Sequence, residues 1–98
     1  MDLNRALKIA IGTGKVLVGS NSSIGAVNSG KAKMVIIASN CPKKVRDAIE
    51  KTDVFTFEYP EGSVDLGSAC GKPFSIAALA VLDQGESELL SIQGFQKG

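Results

Sequence analysis

Met34-Val-Ile-Ile-Ala38 is the segment that most narrows what this chain can fold into. Five consecutive apolar residues, three of them β-branched, leave no polar face to turn toward water. Such a strand belongs at the centre of a sheet covered by helices on both sides. Ile76-Ala-Ala-Leu-Ala-Val-Leu82 has the same character and needs the same double cover. Leu3, Ala6, Leu7, Ala10 and Ile11 recur at helical spacing, with Asp2 before them and Gly12 and Gly14 beyond. Lys15 to Gly19 reads as a short strand. A second helix runs to Ser29, capped by Ser20 or Asn21, with Ile24, Ala26 and Val27 inward. Pro42 fits the first turn of a third helix, placing Val45, Ala48 and Ile49 inward and Lys43, Lys44 and Arg46 in solvent. Val54 to Phe57 is the next strand. Ser63, Val64, Leu66 and Ala69 form a short helix that stops at Gly71. After the Asp83 to Glu86 turn, Glu88 to Ile92 is expected to be a weaker final strand. The order α-β-α-β-α-β-α-β-β predicts an α/β fold, a three-layer α/β/α sandwich with a mixed central sheet of about four to five strands. The chain, residues 1–98, reads as a single domain, with no repeat or linker.

Charge is uneven along the chain although its formal net value is only +1. From Lys31 to Lys51 the basic residues are Lys31, Lys33, Lys43, Lys44, Arg46 and Lys51, against Asp47 and Glu50. From Asp53 to Glu88 seven acids face only Lys72. The net value argues against binding nucleic acid by bulk electrostatics, while the segregation predicts a two-faced molecule. No apolar run reaches membrane-spanning length and the start lacks a cleavable apolar core, so a cytoplasmic protein with reduced thiols is expected.

Catalytic and cofactor readings find little support. The chain has no histidine, which removes the commonest general base and the usual partner of a Ser or Cys nucleophile. Cys41 and Cys70 form no Cys-x-x-Cys pair, so neither a metal site nor a bound cofactor is expected. Cys41, beside a helix start, is either a reactive thiol or a packed one. Gly12-Thr-Gly-Lys15 fails as a phosphate loop: Ile9 stands where the first glycine is required, and Val16 replaces the magnesium-binding hydroxyl. The carboxylates of Asp83 and Glu86 fall in a solvated turn.

Two loops carry more information. Gly19 to Ser23 combines a glycine that lets a backbone approach closely, a helix start with unpaired N–H groups, and Asn21, which can donate and accept at the edge of a base. Its alternative is ordinary helix capping. Phe74, after Pro73 and before Ser75, is either the rim of the core or an exposed platform for a base. Lys31 and Lys33 are either a solvated turn or a phosphate clamp.

In order along the chain, Gly14-Lys-Val-Leu-Val-Gly19, Gly30-Lys-Ala-Lys-Met-Val-Ile-Ile-Ala-Ser-Asn40, Glu61-Gly-Ser-Val-Asp-Leu-Gly67, Gly71-Lys-Pro-Phe74 and Asp83-Gln-Gly-Glu-Ser87 resemble the L-thirty-e branch of the L-seven-Ae superfamily. The resemblance covers almost the whole sequence. It implies a non-catalytic constituent of the large ribosomal subunit of archaeal and eukaryotic type. Such a protein binds a kink-turn, or a similar bent rRNA internal loop, through three loops at one end of the sheet. On this resemblance Gly19, Ser20, Asn21 and Ser22 belong to the first loop, Asn40 to the second, and Phe74 with Ser75 to the third. Phe74 is expected to stack, Asn21 to read a base edge, and Lys31, Lys33 and Lys72 to offset phosphate charge. The implied partners are large-subunit rRNA and neighbouring ribosomal proteins, with a monomer off the ribosome and no membrane. A kink-turn protein of a guide or regulatory ribonucleoprotein is the alternative. This chain departs from the superfamily's Gly-x-Asn-Glu pattern by carrying Ser22 at the acid position and Gly25 at that of a nearby lysine. It also departs from its own branch, which more often has lysine where Asn21 stands, and Glu50 to Val54 shortens the third helix and its link.

Overall fold

The computed structural model describes residues 3–89. Their elements run α1 (Leu3–Thr13), β1 (Lys15–Val18), α2 (Ser20–Asn28), β2 (Met34–Ile37), α3 (Lys43–Glu50), β3 (Phe55–Glu58), α4 (Ser63–Ala69) and β4 (Ala78–Asp83). The strands form one sheet in the order β1-β4-β2-β3. β4 runs antiparallel to both neighbours, whereas β2 and β3 are parallel. The sheet is therefore mixed, and its inner strands are the two double-sided apolar runs of the sequence. Every residue of β2 and the first four of β4 are buried. The edge strands β1 and β3 are only partly buried.

Alternation along β2 sorts the core onto two faces. Met34 and Ile36 pack with Leu79 and Val81 beneath α1 and α4, which contribute Ala6, Leu7, Ala10, Leu66 and Ala69. Val35 and Ile37 point the other way and pack with Ala78 and Ala80 beneath α2 and α3, through Ala26, Val27 and Ile49. Each fully buried Leu or Ile contributes about 1.5–3 kcal/mol of burial free energy. These two packed faces make the three-layer sandwich.

Two local expectations change. No side chain caps α2: Gly19 occupies the N-cap position, and the Ser23 hydroxyl turns back to donate to the Gly19 carbonyl at 2.7 Å. Neither Ser20 nor Asn21 is needed as a cap. Glu88 and Leu89 are not strand. The buried Ser87 hydroxyl donates to the Ala6 carbonyl (2.7 Å) and accepts from Leu89 N–H (3.1 Å), tying the chain to α1 and burying Leu89 on that face. The rest of that expected strand, 90–92, lies outside the described residues. Among the described residues no helix is long and apolar enough to cross a membrane.

Candidate nucleic-acid interface

β1, β2 and β3 all run toward the same end of the sheet, and β4 starts there. Val18 pairs with Leu79, Ile37 with Ala78, and Ile37 lies beside Glu58. The first, second and third candidate loops consequently emerge side by side. Hydrogen bonds stitch them together. Gly19 N–H donates to the Ala78 carbonyl at 2.9 Å, Ala38 N–H to that of Ala77 at 2.9 Å, Ser39 N–H to that of Glu61 at 2.9 Å, and Ile76 N–H to that of Ser63 at 2.9 Å. Asn40 adds a side-chain link, its Oδ1 accepting from Ser63 N–H at 2.8 Å.

Gly19 has φ 112° and ψ 154°, a conformation essentially confined to glycine, and a Cβ there would meet nothing within 4 Å. The backbone is thus special while the space around it is open. Asn21 and Ser22 are exposed in the first turn of α2, and Ser20 is half-buried. With no side-chain cap, the first N–H groups of the helix have no partner within it.

Phe74 is 53% exposed, which resolves the choice between core rim and platform in favour of the surface. The backbone of its loop is seated on α4. Lys72 N–H donates to the Gly67 carbonyl at 2.9 Å, and the Phe74 carbonyl oxygen rests directly against the Gly67 Cα, where any Cβ would collide with it. Ser75 is exposed and Lys72 half-buried in the same loop.

Lys31 and Lys33 are not part of this edge. Lys33 N–H donates to the Val81 carbonyl at 2.8 Å, and Met34 pairs with Val81 at the far end of β2. The four residues of β2 lie between them and the loops, a separation of about 13 Å. The two lysines share the far end with the Asp83 turn, since Lys15 pairs with Asp83 there. By contrast α3 begins where β2 ends, so Lys43 and Lys44 stand at the loop end, exposed and in no ion pair among the described residues. Their neighbour Arg46 is engaged by Glu58 at 2.7 Å. The signal that finds these two lysines is element order: a helix that follows a strand starts at the strand's C-terminal end.

The thiols are packed. Burial pushes the Cys70 thiol up to about 11, and burial also raises that of Cys41, with the Arg46 charge acting in the opposite direction. Tyr59, under the second loop, is raised by burial and then by Glu61 and Asp65, and its hydroxyl donates to Asn4 Oδ1 at 2.8 Å. No group of three or more His, Cys, Asp or Glu among the described residues is placed to hold a metal ion.

Residues 1–91 match the ribosomal protein L7Ae/L30e/S12e/Gadd45 family. The large ribosomal subunit protein eL30 of Methanosarcina mazei is 46% identical over 91 residues, covering 93% of this chain and 88% of that protein. Its counterpart in Methanosphaerula palustris is 45% identical over 94 residues, covering 95% and 98%. That of Methanopyrus kandleri is 45% identical over 94 residues, covering 92% and 86%.

Proposed function

Since this chain belongs to the ribosomal protein L7Ae/L30e/S12e/Gadd45 family, we propose that it is a non-catalytic constituent of the large ribosomal subunit that holds a bent rRNA internal loop of kink-turn type. The observation that carries this reading is the stitched loop edge with a half-exposed aromatic ring held at its margin. A kink-turn presents unstacked bases and closely spaced phosphates on one side. Phe74 offers a π-face to a base, and Asn21 and Asn40 offer amide groups to base edges. The uncapped start of α2, preceded by Gly19 with no side chain, offers its backbone N–H groups to a phosphate. Lys72 supplies a cation within the third loop, and Lys43 and Lys44 supply two more beside the second. Lys31 and Lys33, at the far end, are outside this contact surface. The ribosomal setting is supported by the names of the relatives, and on this reading the protein works in the cytoplasm with rRNA and neighbouring ribosomal proteins as partners.

Titration of the full chain with a kink-turn RNA and with a straight duplex of equal length, over a salt series, tests the RNA part. The wild type is expected to prefer the bent RNA. Phe74→Ala is expected to weaken that binding by about 5- to 100-fold, the worth of one stacked base, while thermal unfolding is unchanged. Equal, salt-sensitive binding to both RNAs would overturn the reading. Co-sedimentation with large subunits tests the ribosomal part, and its failure alongside intact kink-turn binding would favour a guide or regulatory ribonucleoprotein.

A further inference from the structure

The loop edge has two charged margins of opposite sign. Strand order puts Gly19 at its β1 side and the residues that follow β3 at the other, three strand spacings or about 14 Å away. Glu61 stands on that β3 side, fastened by the bond from Ser39 N–H to its carbonyl, and Asp65 follows in the first turn of α4. We propose, on the RNA reading given above, that Glu61 and Asp65 determine specificity. Their carboxylates turn phosphates away from the β3 side of the edge, so that a straight duplex is rejected and a bent RNA is admitted.

Both acids are exposed and in no ion pair among the described residues, whereas the neighbouring Glu58 is engaged by Arg46 at 2.7 Å. They also act in one place: after burial, these two carboxylates are what raise the Tyr59 phenol, so both lie within electrostatic reach of one hydroxyl under the second loop. On the opposite face of the sheet α3 starts at the same end with Lys43 and Lys44 and no acid in its first turn. A helix start favours negative charge, so those lysines stand against the dipole of their own helix, while Asp65 accords with that of α4. A phosphate chain crossing the loops is therefore drawn toward α3 and pushed from the β3 side. A straight duplex carries phosphates at close, even spacing on both strands, and its second strand cannot avoid the acids. A sharp bend takes that strand off the edge. Like charges set opposite a wrong partner suppress it without adding affinity for the right one. The repulsion reaches one Debye length, about 8 Å at physiological salt, so it acts at close approach.

The test titrates the full chain at low salt with a kink-turn RNA and with a straight duplex of equal length. Glu61→Gln with Asp65→Asn is compared with Asp83→Asn with Glu86→Gln, which removes the same charge from the far end and keeps the side-chain oxygen that accepts from Gly85 N–H. The first pair is expected to bind the duplex about tenfold more tightly and the kink-turn within about twofold of wild type, so the preference for the bent RNA falls about tenfold. That gain is expected to shrink as salt rises. The second pair is expected to keep the wild-type preference. Thermal melts establish that both variants are folded; a purely helix-stabilising role for Asp65 would move the melt and leave the ratio of the two affinities unchanged. If neither RNA gains, if both gain equally, or if the far-end pair changes the preference as much, the specificity proposal is overturned and the RNA reading stands. If the wild type itself shows no preference for the bent RNA, both fail.

Discussion

Asn40 gives its side-chain carbonyl oxygen to Ser63 N–H, and this fixes which half of the amide remains for a ligand. The Nδ2 group is left as a donor. Asn40→Asp keeps the acceptor for Ser63 but deletes the donor and adds a negative charge at the edge. We expect its unfolding free energy to stay within about 0.5 kcal/mol of wild type, while kink-turn affinity falls at least tenfold at low salt. Asn40→Ala loses the bond to Ser63 as well and should cost about 1 kcal/mol of stability. Chemical denaturation and RNA titration of the two variants separate the roles; wild-type RNA affinity in Asn40→Asp would show that the donor is unused. Asn40 was legible as a loop residue only through the family resemblance. Its bond to Ser63, 23 residues away, was not, because nothing local encodes that meeting. Phe74 was ambiguous for a related reason. A ring after a helix stop turns inward or outward according to how its backbone is seated, and the seat here is the contact of the Phe74 carbonyl with α4 at Gly67.

At the scale of elements, two glycines in helices make opposite predictions. Gly67 lies in α4 against the Phe74 carbonyl, whereas a Cβ on Gly25 in α2 meets nothing within 4 Å. Helix propensity alone favours alanine at either site by about 0.5–1 kcal/mol. Gly25→Ala should therefore raise stability by that amount. Gly67→Ala should instead lower it by about 1–3 kcal/mol, because the loop must move, and should weaken kink-turn binding through displacement of Phe74. Thermal melts of both variants decide the matter; a stabilised Gly67→Ala would mean that the loop yields freely. The strands and helices themselves were readable in sequence, since apolar runs and helical spacing have few competing solutions in a chain of this length. The cap of α2 was misread because several small polar residues stood together. Propensity could not tell that Ser23, one turn further on, would close back on Gly19. The expected strand after the Asp83 turn was drawn from apolar content, and a single tertiary tether at Ser87 overrode it as far as Leu89.

For the whole molecule, the direction of the strands decides which charges can act together. Lys31 and Lys33 are close in sequence to a candidate loop segment yet stand at the opposite end of β2 from it, and Lys43 and Lys44 stand at the loop end. Lys43→Gln with Lys44→Gln should weaken kink-turn binding across RNA variants and reduce the slope of log affinity against log salt by about 1 to 2. Lys31→Gln with Lys33→Gln should leave that slope close to wild type. A reversal of the two results would place RNA against the far end. The segregation of charge along the sequence was legible, but its layout in space depended on topology, and at one point the two segments cancel directly, through Arg46 and Glu58.

The backbone bonds that join Gly19 to Ala78, Ala38 to Ala77 and Ser39 to Glu61 also bear on where disorder would be lost in the proposed complex. Three independent loops would each have to freeze onto a ligand. Loops already fastened to one another enter an encounter as a finished mould, so in the proposed complex the conformational entropy lost on binding would be drawn from the nucleic acid that bends, and hardly at all from the protein.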